Sequence, residues 1–258
     1  LFMIQFSQVH KRYGENVVLD ETNFTIEQGE TVAIVGFSGA GKSVCLRHMV
    51  RLTGPDEGSI LIDGTPLEML NRQEMRRMRS RFGVLFQGAA LLQWMNLFDN
   101  VALPLRERKE CDEAEIKERV EQCLEWVGLL EAADRLPSQV SGGMQKRAGL
   151  ARAIVMNPEI LLYDEPTSGL DPVTSRKIDR LIAKTNREQS ATSVVVTHDL
   201  ISAMDIATRI MMLHEGRVVE YATPEDFVCS KVAVVQQFLE AQHIPMGFGS
   251  GDDQDEKE

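Results

Sequence analysis

The sequence predicts an α/β fold: a parallel-sheet core, an antiparallel β region ahead of it, and a helical segment inserted into it. Three observations point there. Apolar, β-branched runs at 31–35, 160–163 and 194–197 are separated by stretches of helical periodicity, the pattern of crossovers between parallel strands. The first thirty residues instead carry short alternating runs punctuated by turn residues, which suits antiparallel strands. The middle of the chain, 67–129, reads as mostly helical and interrupts the alternation, as an inserted subdomain would.

The elements follow in order. Met3, Ile4, Phe6 and Val9, then Val17 to Leu19, then Phe24 to Ile26 form the antiparallel runs, with a turn at Gln28-Gly29-Glu30. Ile60-Leu61-Ile62 before Asp63-Gly64 predicts a short strand ending in a hairpin turn. Residues 31–35 predict a buried strand, 36–41 a glycine-rich loop, and 42–52 a helix ended by Gly54-Pro55. Over 113–130, Ile116, Val120, Cys123, Leu124 and Val127 share one helical face, and the charges opposite read as a solvated surface. A helix from Ser141 through Val155 leads to the strand at 160–163. A helix over 179–189, the strand at 194–197, and a hairpin of 210–213 with 218–221 around Glu215-Gly216 complete the pattern. The tail from Gly247 is glycine-rich, then acidic, and is expected to be disordered. No internal repeat is present.

Composition narrows the function. The 258 residues include 43% apolar side chains, enough for a sizeable core, and 39 acids against 28 bases give a net charge of −11. A dedicated nucleic-acid binder would carry a basic face, so no nucleic-acid partner is expected. Cys45, Cys111, Cys123 and Cys229 form no Cys-x-x-Cys pair and have no zinc-ligand spacing, which suits reduced thiols of a cytoplasmic protein. No apolar run approaches the roughly 18 to 20 residues that cross a bilayer, and no secretory signal is seen, so any membrane role is expected to go through a partner.

Gly36-Phe37-Ser38-Gly39-Ala40-Gly41-Lys42-Ser43 matches G-x-x-x-x-G-K-[ST], and it sits between a predicted strand and a predicted helix. Glycines let successive N–H groups turn inward around anionic oxygens, and the following helix adds its positive end. Lys42 is expected to reach the β- and γ-phosphates, and Ser43 to ligate Mg²⁺. Downstream, Ile160-Leu161-Leu162-Tyr163 ends in Asp164 and Glu165. Asp164 is expected to hold Mg²⁺ and Glu165 to polarise a water for in-line attack; adjacent positions on a strand point in opposite directions, which suits two roles.

Ser141-Gly142-Gly143-Met144-Gln145 resembles the signature motif of ABC ATPases and precedes the Asp164-Glu165 strand by the family's interval. Gln87, after Val84-Leu85-Phe86, looks like the Q-loop glutamine; Ser168-Gly169-Leu170-Asp171 looks like the D-loop; His198 looks like the switch histidine; Tyr13 looks like the aromatic residue that stacks on adenine. The resemblance covers about residues 3–240. It implies the ABC ATPase fold, with a RecA-like P-loop NTPase core, an antiparallel β subdomain and an inserted α-helical subdomain. One domain is expected over 1–240, its core and β subdomain in 1–88 and 156–240, its helical subdomain at about 89–155, and a flexible acidic tail at 241–258. It further implies ATP and Mg²⁺ as cofactors, with Ser43, Gln87 and Asp164 around the metal and Glu165, His198 and Gln87 as the catalytic set. The chain would act as a homodimer in which Ser141, Gly142, Gly143 and Gln145 of one copy meet the γ-phosphate held by the other. It would lie on the inner face of the cell membrane beneath an integral-membrane permease.

Three stretches, Phe86-Gln87-Gly88-Ala89-Ala90-Leu91, Asn100 to Glu107 and Ser141 to Ile154, look more narrowly like the Mla/Mce-type lipid transport ATPases. Those pair the ATPase with a permease and a membrane-anchored substrate-binding protein and move phospholipids or other hydrophobic molecules. Methionine-type amino-acid importers share most of the same motifs. A soluble ABC protein without a transport role is the third reading; this chain has one ATPase unit, no heptads and no zinc spacing.

Overall fold

A computed structural model describes residues 2–109 and 111–243, so most of the acidic tail lies outside the described residues. The chain opens with two long strands, β1 (Phe2–Tyr13) and β2 (Asn16–Glu27). Then come β3 (Thr31–Val35), α1 (Lys42–Met49), β4 (Glu57–Ile62), β5 (Thr65–Pro66), α2 (Arg72–Arg79) and β6 (Phe82–Leu85). Three helices follow: α3 (Leu97–Arg108), α4 (Glu113–Trp126) and α5 (Gly142–Ile154). The second half holds β7 (Ile160–Asp164), α6 (Pro172–Gln189), β8 (Thr192–Val196), α7 (Leu200–Ile206), β9 (Arg209–His214), β10 (Arg217–Ala222), α8 (Pro224–Val228) and α9 (Ala233–Ala241).

Two sheets result. One is antiparallel, in the order β2-β1-β4-β5. The other runs β10-β9-β3-β8-β7-β6, parallel except for β10 at its edge. Both hairpins expected from the sequence form. Asp63 and Gly64 (φ 50° and 72°) and Glu215 and Gly216 (φ 46° and 74°) have positive φ at both central positions, the turn whose twist matches paired strands.

Strands β3, β7 and β8 are buried along their whole length, because helices cover both faces of a parallel sheet. Their alternation sorts side chains between two cores. Ile160, Leu162, Val194 and Val196 face Cys45, Leu46 and Met49 of α1 and the N-terminal sheet. Leu161, Tyr163 and Val195 face the other way, onto the cluster built by α3, α4, α5 and α6. A third cluster packs α7, α8 and α9 on Ala33, Val35, Ile210 and Met212.

Three boundaries differ from the sequence reading. Within the stretch read as mostly helical, β6 runs Phe82–Leu85, so Phe86 already belongs to the following loop. Its Gly83 reflects a close approach: a Cβ there would lie 2.2 Å from the Ala153 carbonyl oxygen of α5. Helix α4 stops at Trp126, before Gly128 at φ 66°, where Arg147 takes the carbonyls of Val127 and Gly128. Helix α6 begins at Pro172, seven residues ahead of the expected start. Its first turn, Pro172-Val173-Thr174-Ser175, carries no helical apolar pattern; the start is set by Asp171, whose carboxylate accepts the Thr174 N–H at 3.0 Å, with proline in the first helical position.

Asp179 of α6 is only 2% exposed, and burial pushes its carboxyl up to about 6. It accepts from the Ser202 hydroxyl (2.8 Å) and Arg176 (3.3 Å), which also reaches Asp205 (3.1 Å) and Asp199 (3.9 Å), while Oδ1 has no partner among the described residues. The folded chain therefore holds this proton more tightly than the unfolded chain, whose carboxyl titrates near 3.8. The penalty is absent below about pH 4, grows as pH rises, and is complete above about pH 6. Asp179→Asn keeps an acceptor for Ser202 and removes the titration. Its stability relative to the parent should improve by about 1–3 kcal/mol between about pH 4 and about pH 7.5. Urea melts at both values measure this, and an unchanged difference would contradict the assignment.

Candidate active site

The loop between β3 and α1 turns on three glycines with positive φ: Gly36 (146°), Gly39 (81°) and Gly41 (96°). Gly36 is also a close approach, since a Cβ there would lie 2.2 Å from the Leu213 carbonyl oxygen of β9. Gly41 caps α1, whose first turn carries no acidic residue to compete for its free N–H groups. Lys42 is 8% exposed and curls back so that Nζ donates to the carbonyls of Gly36 (2.8 Å) and Phe37 (3.0 Å). Burial lowers its pKa, opposed by the charges of Glu165 and Asp164.

Strand β7 supplies the acids. Its alternation sends Asp164 to the α1 side with Ile160 and Leu162, where the Ser43 hydroxyl donates to Asp164 Oδ1 at 2.7 Å. Glu165 leaves the strand in the left-handed region (φ 49°), with its N–H donated to the Val196 carbonyl at 2.9 Å. That turn brings its carboxylate to His198, with Nδ1 2.7 Å from Oε2. The histidine side chain is 62% exposed and the glutamate 13%, so the pair presents its imidazole outward.

These groups share one open cleft of about 620 Å³. Gly36, Ser38, Gly39, Ala40, Gly41, Lys42, Ser43, Gln87, Glu165 and His198 all line it, and Asp164 joins through Ser43. The other expected residues lie off its wall. Tyr13 ends β1, is 47% exposed, and has the Lys11 ammonium 5.5 Å from its ring centre; Val18 and Phe37 reach the wall instead. Ser141 caps α5 by accepting the Met144 N–H at 3.3 Å, and Gln145 donates to the Pro137 carbonyl at 2.8 Å. Gly142 and Gly143 face the neighbouring segment: a Cβ on Gly142 would lie 3.6 Å from Leu170, and one on Gly143 2.5 Å from Thr174. Asp171 is occupied as the cap of α6.

Sequence reasoning missed two groups. Phe238 and Ala241 of α9, with Gln242 just past its end, line the cleft, and the Phe238 ring meets Phe37 edge-on at 5.3 Å between centres. Nothing local in the sequence ties residue 238 to residue 37. Lys146 and Arg152 on α5 hold the loop after β6: Lys146 donates to the Gln87 carbonyl, and Arg152 to those of Ala89 (2.6 Å) and Ala90 (2.8 Å). Their helical spacing was visible, but it reads as an ordinary polar face.

A phosphate-binding loop, a strand-end acid pair and a distant serine-capped helix occur here in a single chain. Residues 19–168 match the family described as ABC transporter. This chain belongs to the ABC transporter family. Among its relatives is the probable ribonucleotide transport ATP-binding protein mkl of Mycobacterium tuberculosis, 40% identical over 252 residues, 97% of this chain and 70% of that protein. The methionine import ATP-binding protein MetN of Corynebacterium efficiens is 41% identical over 226 residues, 87% of this chain and 63% of that protein. The ATP-binding cassette MJ0796, solved as a dimer in a post-hydrolysis state with ADP and Pi, superposes with a TM-score of 0.79 at 36% identity, covering 86% of this chain and 99% of that one. The chain is thus an ATP-binding and ATP-hydrolysing ABC cassette, and its fold is that of the solved cassettes.

In this ABC cassette Gly36→Ala forces a methyl group into the Leu213 carbonyl at a backbone angle that suits glycine. The variant should lose about 2–4 kcal/mol of stability in urea melts. A loss within about 0.5 kcal/mol would show that the loop is not held against β9.

Proposed function

We propose that this ABC cassette powers a separate transmembrane permease by working as a homodimer that closes on two ATP molecules. The observation that carries this is a separation. Ser141 and Gly143 begin α5 away from the cleft that gathers Lys42, Ser43 and Glu165, so a second copy is needed to bring a helix N-terminus to the γ-phosphate. The MJ0796 cassette, similar over 99% of its length, is a dimer in its solved structures.

Within each half, the amides of 36–43 cradle the phosphates and Lys42 exchanges its two loop carbonyls for phosphate oxygens. Glu165 accepts a proton from the attacking water, and His198, already 2.7 Å from Oε2, fixes that carboxylate and faces the γ-phosphate. Tyr13 stacks on adenine. Gln87, in the loop held by α5, and Asp171, beside the facing copy, link the nucleotide to its surroundings. The donor set around Ser43 fits Mg²⁺: a hydroxyl and the Asp164 carboxylate already 2.7 Å apart, with the Gln87 amide on the same wall. Among the described residues no cluster of three or more His, Cys, Asp or Glu could hold a metal alone, which suits an ion that keeps waters and phosphate oxygens as ligands. Bound there, Mg²⁺ would neutralise charge developing between the β- and γ-phosphates.

No helix among the described residues is long and apolar enough to cross a membrane. In this reading the permease supplies the pathway, and the cassette lies on its cytoplasmic side. For the cargo, the stretches at 86–91, 100–107 and 141–154 favour phospholipid or another hydrophobic molecule, with a membrane-anchored substrate-binding protein as third component. The MetN relatives favour amino-acid import as a second reading. With the cognate permease in liposomes, ATP-dependent transfer of labelled phospholipid supports the first. ATP-dependent uptake of methionine instead would replace it with the second.

Glu165→Gln should keep ATP affinity, hydrolyse about 10²–10⁴-fold more slowly, and run as a dimer in light scattering with Mg-ATP. Hydrolysis at the parent rate would remove Glu165 as the base. Lys42→Ala should lose at least about tenfold in affinity for a fluorescent ATP analogue, equivalent to about 1.4 kcal/mol. Unchanged affinity would contradict the phosphate assignment.

A further inference from the structure

The ammonium of Lys146 is buried at 6% exposure in the second turn of α5 and, among the described residues, has no carboxylate hydrogen-bonded to it. It donates instead to two backbone carbonyls, that of Gln87 and that of Glu165, the latter at 3.0 Å. Burying an ammonium is costly unless it is hydrogen-bonded, and burial lowers its pKa here against the pull of Glu165 and Asp164. A plain packing position would be filled more cheaply by methionine or leucine.

The two carbonyls are informative. Gln87 lies just past the end of β6 and Glu165 just past the end of β7, neighbouring parallel strands. Glu165 is left-handed, a conformation that non-glycine residues hold only when their surroundings fix it. Its N–H is fixed by Val196 and its carbonyl by Lys146, so both peptide groups around the residue are pinned. Lys146, Gly149 and Arg152 are three residues apart along one side of α5. Gly149 lets that side press close, since a Cβ there would lie 2.8 Å from Leu85 and 3.1 Å from the Ala89 Cβ. Arg152 takes the carbonyls of Ala89 and Ala90, two and three residues beyond Gln87 in the same loop.

We infer that Lys146 is a positioning residue for ATP hydrolysis: it ties the helix that begins at Ser141 to the backbone of Glu165 and Gln87 in the same chain. The inference rests on Glu165 acting as the base. When the helix end engages a nucleotide held by the facing copy, the helix moves as a rod, and Lys146 carries that displacement to the peptide that aims the carboxylate. Each half-site is then competent to hydrolyse only while its own helix is engaged by the other.

Lys146→Met keeps the volume and removes the donors. In the purified full chain it should lower kcat about 10- to 100-fold and leave KM and the affinity for a fluorescent ATP analogue within about threefold. Added to Glu165→Gln it should lower the residual rate by less than about twofold, because a group acting through Glu165 has nothing left to position. Parent-level kcat in Lys146→Met, a loss carried by KM, or a full multiplication of the two effects would overturn the inference. Should Lys146→Met not fold, Lys146→Gln decides: its shorter amide should lower kcat about 3- to 10-fold, and a parent-level kcat would overturn the inference equally. Failure of the base assignment appears separately, as a parent-level rate in Glu165→Gln alone.

Discussion

The Ser43 hydroxyl donates to Asp164 at 2.7 Å, and this bond joins two parts of the chain that lie 121 residues apart. On one side is the glycine loop and α1; on the other is the end of the central strand β7. Neither half can do phosphate chemistry alone. The loop offers amides and an ammonium but no base, and the strand end offers carboxylates that would repel a triphosphate. The bond requires β7 to sit beside β8 in register, so that Asp164 rather than Tyr163 points to α1. The packing of both faces of β7 enforces that register, because a one-residue slip would turn Asp164 into the apolar cluster of α3 to α6 and Tyr163 towards α1.

The same strand explains why the two acids part company. Asp164 is the last residue to obey the alternation. Glu165 departs from it by adopting the left-handed region, which aims its carboxylate at His198 at the end of β8. The expectation from strand geometry is opposite directions for adjacent residues; the two carboxylates do part, but by a different route. Backbone strain, held by Val196 on one side and Lys146 on the other, supplies the turn that pleating alone would not give.

Much of the fold was legible because the elements that position the site are strongly local. Strand β3, the glycine loop and α1 occupy consecutive residues, and both type I′ hairpins announce themselves through Asp63-Gly64 and Glu215-Gly216. Illegible features are those fixed between distant segments. The start of α6 depends on a capping aspartate and a proline ahead of an unpatterned turn, and Gly83 and Gly149 look like poor choices until the helix or loop opposite is in place. Phe238 belongs to a helix that packs on β3 and β9 through an apolar face, and only the packed structure sets its ring against Phe37. Tyr13 shows the converse: its motif is readable, but within a single chain it stands outside the cleft wall.

Two buried ammonium groups flank the acid pair, and their surroundings give them unequal freedom. Lys42 and Lys146 both interact with the charges of Asp164 and Glu165, and both are held by backbone carbonyls rather than by those carboxylates. The carbonyls that hold Lys42 belong to the loop it sits in, Gly36 and Phe37, so a phosphate can replace them without disturbing another element. Those that hold Lys146 belong to two strand ends, and releasing them would free the peptides that aim Glu165 and Gln87. In the proposed mechanism one lysine is thus free to follow the substrate while the other stays with the scaffold. The difference lies in which backbone each ammonium satisfies, since burial and neighbouring charge are nearly the same for both.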